Sequence, residues 1–173
     1  KYLSFYQQYV KQGNLDDAAP NWRKAIKFCP PTASQNMLLD GMKIMRKEIN
    51  QFRSNPIRKK ELVDTLMMLH QMRIDTYPNY AATAATNKAV DMMNYSETGS
   101  EMDVYNALGE ALDIAKAKSS TTVAVRYVDY AIQLYKAGRL MDTDVFSSFE
   151  KSIDVLEQIK AAKPSKMVDD AIS

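Results

Sequence analysis

GNLDDAAPNWRKAIKFCP, residues 13–30, reads as a single helix with a marked beginning, one apolar face and a forced end. Gly13 and Asn14 break the chain ahead of it. Asp16 and Asp17 fall in its first turn, where the positive end of the helix dipole favours negative charge. Ala18, Trp22, Ala25 and Ile26 recur at the three- and four-residue spacing of one helical face. Pro30 and Pro31 stop the helix, because proline brings no amide to its hydrogen-bond ladder. Small residues on either side of a tryptophan make a face suited to close contact with neighbouring helices.

The same periodicity extends in both directions. Upstream, Tyr2, Phe5, Tyr6 and Tyr9 mark a helix from Tyr2 to Gln12. Downstream, Ser34 is a candidate N-cap for a helix using Met37, Leu38, Gly41, Ile44, Met45, Ile49 and Phe52, with Asp40 standing where an apolar residue is expected. Asn55 followed by Pro56 is a start signal, a cap and then a proline at the first helical position. The helix from there to Tyr77 spans about 33 Å. Pro78 and Asn79 restart the chain into an Ala/Thr-rich helix ending near Met93. Ser100 with Asp103 resembles a capping box and opens a helix bearing Tyr105, Leu108, Leu112 and Ala115. Val128, Ile132 and Tyr135 mark the next, with Gly138 as its C-terminal cap. The last runs from Thr143 to just before Pro164 and places Phe146, Phe149, Ile153, Leu156 and Ile159 on its apolar face. The sequence thus predicts an all-α chain of eight helices in four antiparallel hairpins. The tail SKMVDDAIS, residues 165–173, reads as a helix cut short or a capping segment.

The totals agree with this and narrow the function. The chain has 173 residues, 46% hydrophobic and 25% charged, enough for one domain with a core or for a short array of repeats. Five glycines and six prolines are few for a turn-rich β protein. A net charge of +2 falls short of a nucleic-acid-binding domain. The single cysteine, Cys29, excludes an internal disulfide and a cysteine-based zinc cluster. No apolar run is long enough to span a membrane. The chain begins at Lys1 and shows no signal peptide, which predicts an upstream segment that has been removed.

A repeat of helix–turn–helix units is the next question, and the first pair answers it best. Tyr2-x2-Phe5-Tyr6-x2-Tyr9, Gly13 at the turn, Ala18-x3-Trp22, Ala25 and Pro30 stand at the spacings of the tetratricopeptide repeat. The match departs at Tyr6, where that family prefers glycine, and at Tyr2, Phe5 and Leu15, where the apolar face is kept by other residues. The chain resembles a tetratricopeptide-like array with one well-matched repeat, residues 1–32, and degenerate pairs at 33–78, 79–118 and 121–164. YQQYVKQGNLDDAAPNWRKAIKFCP, NMLLDGMKIMRKEI and ELVDTLMMLHQMRIDTYP are further similar to exported tetratricopeptide-like proteins of anaerobic Gram-negative bacteria. The resemblance implies a single right-handed α-solenoid, no catalytic activity, and a place in the periplasm or cell envelope. It also implies a partner groove on the first helices, with Leu3, Gln7, Val10 and Lys11 facing it. The chaperone-tail clamp of that family uses a lysine and an asparagine where this chain has Leu3 and Gln7, so capture of a C-terminal carboxylate by that device is not expected.

Few residues point to chemistry. His70, the only histidine, lies beside Leu66, Met67 and Ile74 and reads as a packed residue. Cys29 sits at a helix end near Lys27, whose charge favours a thiolate, and reads as structural. Asp142-Thr143-Asp144 opens like a calcium loop but lacks the later glycine and glutamate. Asn94-Tyr95-Ser96 matches a glycosylation acceptor. No G-x-S-x-G, H-E-x-x-H, P-loop or G-x-G-x-x-G occurs, and no cofactor, metal ion or nucleic acid is expected. Met37, Met42, Met45, Met67, Met68, Met72, Met92 and Met93 concentrate in the middle helices, as an adaptable core or, where exposed, a pliable binding surface. Lys43, Arg46, Lys47, Arg53, Arg58, Lys59 and Lys60 cluster around one turn, offset by Glu48 and Glu61. The leading expectation is a non-enzymatic scaffold that binds a peptide or partner domain. The alternative is an anionic non-protein ligand, a glycan or lipid head group, held through Arg46, Lys47, Arg58 and Lys59. A third is a structural piece of a longer solenoid.

Overall fold

The computed structural model describes residues 2–172, and the regular structure among them is helical throughout. Nine α-helices are described: α1 (Tyr2–Lys11), α2 (Leu15–Phe28), α3 (Gln35–Gln51), α4 (Pro56–Thr76), α5 (Ala81–Tyr95), α6 (Glu101–Ala115), α7 (Thr121–Lys136), α8 (Asp142–Ala162) and α9 (Lys166–Ile172). Eight are those expected from the spacing; the ninth is the tail after Pro164. The chain divides into two compact units, Lys1–Pro78 and Asn79–Ser173.

In the first unit α1 packs on α2, α2 on α3, and α3 on α4. Asn14 caps α2, its side-chain oxygen accepting from the Asp17 amide at 3.2 Å, and Gly13 takes the positive φ of +74° that the turn requires. The seam between α2 and α3 is built around Trp22. Its indole is buried, and Nε1 donates to the Met37 carbonyl at 2.8 Å. In an α-helix that carbonyl also faces the amide of residue 41, so the ring reaches it only by crossing the place of a side chain there. Gly41 leaves that place open: a methyl group on it would lie 2.5 Å from Trp22 Cε2 and 2.8 Å from Nε1. Ion pairs flank the seam, Arg23 with Glu48 and Lys47 with Asp16 at 2.7 Å. Asn55 caps α4 as its sequence predicts, accepting from the Arg58 amide at 3.1 Å. The Tyr77 hydroxyl donates to the Pro31 carbonyl at 2.9 Å and ties the end of α4 to the turn after α2.

In the second unit α5 packs on α6, α6 on α7, α7 on α8, and α8 on α9. Small buried residues bring α5 and α6 close: Ala84, Ala85 and Ala89 on one, Ala107, Ala111 and Ala115 on the other. The α6–α7 seam repeats the arrangement seen at Trp22. The buried Tyr127 ring lies against Gly109, where a methyl group would come within 3.0 Å of Cε2. Gly138 ends α7 with φ of +68°.

Several expectations need correction. Ser34 and Ser100 stand at the cap positions of α3 and α6 but make no side-chain cap hydrogen bond, and the Gly99 amide is met by the Glu101 carboxylate at 3.0 Å. Phe52 lies beyond α3 and is exposed, with the Arg58 guanidinium over its ring. The core side of α8 is not the aromatic stripe. Ser148, Ser152, Val155, Leu156 and Ile159 are buried, while Phe146, Phe149 and Ile153 face solvent. Ser148 and Ser152 tolerate burial because each hydroxyl donates to a backbone carbonyl, of Asp144 at 2.7 Å and of Ala124 at 3.0 Å. Pro20, passed over in the sequence, lies inside α2 on its exposed side and removes one amide from that helix.

Gly41→Ala is expected to cost about 3 kcal/mol, the upper end for overpacking a tight core. In a Trp22→Leu background the same change should become neutral or stabilising, by up to about 1 kcal/mol of helix propensity. Denaturant unfolding of the four variants of this cycle checks the sign reversal. Lys116, at the end of α6, holds φ of 47°, a conformation that glycine adopts without strain. Lys116→Gly should therefore raise stability by about 1 kcal/mol in the same assay.

Candidate functional site

Gln7, Val10 and Lys11 lie on one face of α1, a helix with no acidic residue. On α3, Asn36, Asp40 and Lys43 recur at i, i+4 and i+7, which places them on one face as well. The two faces line one open cleft of about 380 Å³ in the first unit. Three of the four groove residues expected from the sequence, Gln7, Val10 and Lys11, meet there. Leu3 is half-buried on α1 and is not among the lining residues. The α3 half went unnoticed in the sequence, although Asp40 had marked itself as a polar residue in an apolar position.

Asp40 is 7% exposed and forms an ion pair with Lys43 Nζ at 3.1 Å. That pairing offsets the cost of drawing a carboxylate out of water. Beneath the cleft Tyr6 is fully buried; burial raises its hydroxyl above the ordinary tyrosine range, and the charge of Asp40 adds to the shift. The lining therefore offers two amides, two ammonium groups and one tethered carboxylate around an apolar Val10. Such a surface can meet a peptide backbone through the amides and an acidic side chain through Lys11.

The basic cluster is more compensated than its sequence suggests. To Glu48 and Glu61 the fold adds Asp16, Asp40 and Asp64. Lys47 pairs with Asp16 at 2.7 Å, Arg58 with Glu61 at 2.8 Å and with Glu48 at 4.0 Å, and Lys60 with Asp64 at 2.8 Å. Arg46 and Lys59 are half-buried. None of Arg46, Lys47, Arg58 and Lys59 lines the cleft of Gln7 and Lys11. Met37, Met42 and Met45 are core residues, whereas Met68 is exposed, and His70 is fully buried as expected.

A second concavity, about 400 Å³, lies in the second unit and is lined by Tyr105, Asn106, Gly109, Glu110, Asp113, Ile114, Tyr127 and Lys151. Its floor is a chain of hydroxyls. The Tyr105 and Tyr127 rings stack at 4.8 Å, the Tyr127 hydroxyl donates to that of Tyr105 at 3.2 Å, and the latter lies 2.8 Å from Ser148 Oγ. Because Ser148 donates its only hydroxyl proton to the Asp144 carbonyl, Tyr105 must donate to Ser148. The chain thus runs one way, from Tyr127 through Tyr105 and Ser148 to the backbone. Burial, and then the bond to Tyr105, push the Tyr127 hydroxyl well above the ordinary range, so it stays neutral at ordinary pH. Lys151 bonds Asp113 at 2.8 Å and lies over the Tyr127 ring. These groups hold α6, α7 and α8 together and present no nucleophile paired with a base.

Among the described residues no group of three or more His, Cys, Asp or Glu side chains is placed to hold a metal ion. No described helix is long and apolar enough to cross a membrane. No protein-family model matches the chain, and no curated protein matches it.

Asp16 links α2 to α3 through Lys47 and, at 3.4 Å, Gln51, and the Lys47 bond followed by that of Gln51 holds its carboxyl below the ordinary aspartate range. A depressed folded value means that the stabilisation is present above the unfolded pKa and is lost as pH falls through the folded one. The melting temperature should therefore fall less on acidification below the ordinary aspartate range in Asp16→Asn than in the unaltered protein. Ser148→Ala should cost about 1–2 kcal/mol, since it strands the Tyr105 proton, and more than Tyr127→Phe, which removes only the outermost donor. Denaturant titration of the two variants checks the order.

Proposed function

We propose that this protein is a non-enzymatic interaction module, each unit a two-hairpin segment of a right-handed tetratricopeptide-like solenoid, and that it binds a peptide in the α1–α3 cleft. The observation that carries the reading is the meeting of Gln7, Val10 and Lys11 with Asn36, Asp40 and Lys43 around one open, polar, unevenly charged groove. In such arrays the first helix of each hairpin lines the recognition surface, and α1 and α3 are first helices. The pairing of successive helices within each unit supports the same architecture. Lys11 beside the Asp40–Lys43 pair favours a ligand carrying an acidic side chain over a basic one. The expected setting, the periplasm or cell envelope, rests on the resemblance of the first 80 or so residues.

The alternative, an anionic glycan or lipid head group at Arg46, Lys47, Arg58 and Lys59, draws less support. An incoming anion would compete with Asp16, Glu48 and Glu61 for the Lys47 and Arg58 charges.

A displayed library of random peptides selected on the full chain tests the proposal. Enriched peptides should be acidic, and their affinity should fall at least about tenfold in the Gln7→Ala, Lys11→Ala double variant, with the melting temperature nearly unchanged. Arg58→Ala with Lys59→Ala should leave it unaltered. Peptides that bind the first variant normally would move the site away from α1.

A further inference from the structure

The outer face of α8 carries an apolar stripe that its own unit does not cover. Phe146, Phe149 and Ile153 are 70%, 40% and 40% exposed and, at i, i+3 and i+7, fall on one side of the helix. Round the helix from them, α8 is already packed through the adjoining face of Ser148, Ser152, Val155, Leu156 and Ile159, so its apolar sector is wider than its packed side. A helix buried on one side ordinarily turns charge to water on the other. Here the charges stand among the aromatics instead: Asp142, Glu150 and Glu157 are exposed on the same side as the stripe, and so is Lys160, whose Nζ pairs with Asp169 at 2.6 Å. The result is an apolar stripe with an acidic border.

The first unit carries its counterpart. Tyr2 and Phe28 stack at 5.9 Å, Phe28 is 65% exposed, and Phe5 is exposed one turn further along α1. The cations here stand over the rings: Lys24 Nζ lies 5.8 Å from the Tyr2 centroid and Lys27 Nζ 5.6 Å from that of Phe28. No acidic residue lies on α1. This patch is aromatic with a basic border.

We propose that the α8 stripe of one copy docks on the Tyr2–Phe5–Phe28 patch of another, in a heterologous contact between copies of this chain. The two surfaces are alike in apolar character and opposite in charge, whereas α8 against α8 would bring together two sides of net negative charge. Surfaces that differ within one chain pair head to tail, which gives a ring where the rotation closes and an open series where it does not. Glu150 and Glu157 would meet Lys24 and Lys27 at the border, where opposite charges fix register and speed encounter. The contact uses neither the α1–α3 cleft nor its lining residues.

Sedimentation of the unaltered full chain should show mass rising with concentration, and the association should weaken as salt screens the borders. Phe146→Lys with Phe149→Lys should weaken self-association at least about tenfold, and so should Phe5→Glu with Phe28→Glu. Circular dichroism should show both variants folded, since the altered side chains are exposed. The decisive arm mixes the two. Each retains the surface the other has lost, so together they should form a single 1:1 complex. A monomer at every concentration overturns the proposal on the unaltered protein alone. Self-association of the Phe5, Phe28 variant by itself would also overturn it, because that result means that α8 pairs with α8.

Discussion

The first unit depends on a tryptophan occupying the space of a missing side chain. Trp22 crosses from α2 to α3 over Gly41 and donates to the Met37 carbonyl. Neither half of the arrangement works alone. A larger residue at 41 displaces the indole, and a smaller one at 22 opens a cavity and leaves the carbonyl without its second donor. The bond fixes α3 along the axis of α2, and the close approach fixes its distance. Because α1 packs on α2, and α3 is set by α2, the relation between α1 and α3 follows, and with it the cleft of Gln7, Lys11, Asn36 and Asp40. The cleft and the seam beside it are thus two consequences of the same packing.

Unit two uses the same device with different chemistry. There the aromatic is Tyr127, the glycine is Gly109, and the polar end of the ring enters a one-way relay of hydroxyls instead of meeting a carbonyl directly. In both units the contact joins the second helix of one pair to the first helix of the next. That is the junction the packing must specify, since the turn within a pair is short and constrains its two helices by itself. A glycine buried in mid-helix costs about 1 kcal/mol of propensity against alanine, which makes sense only where a neighbour needs the room.

The helices were legible in the sequence because their starts and stops are chemical. Asn55 before Pro56, Gly13, Gly138 and the Pro30–Pro31 pair each act within a few residues, so local reading finds them. The repeat resemblance named Gln7, Val10 and Lys11, which the fold brings to one cleft. Spacing failed where the outcome depended on what lies opposite. Phe146, Phe149 and Ile153 have the period of a buried face, yet Ser148 and Ser152 take the core because Asp144 and Ala124 offer them carbonyls. The Arg and Lys residues of α3 and α4 read as a cationic patch because the carboxylates facing them include Asp16, far away in the chain. Asp40 was the most informative misfit. Its polar character in an apolar position marked the half of the cleft that the repeat pattern did not supply.

The claim that the α2–α3 seam sets the cleft can be measured as a distance. Spin labels on the exposed Gln8 of α1 and Asn36 of α3, with Cys29 replaced by serine, report the width of the groove by pulsed electron paramagnetic resonance. The account predicts a narrow distance distribution in the otherwise unaltered chain and a broad one in Trp22→Leu. A distribution equally narrow in both would mean that α1 and α3 are held by something other than the tryptophan.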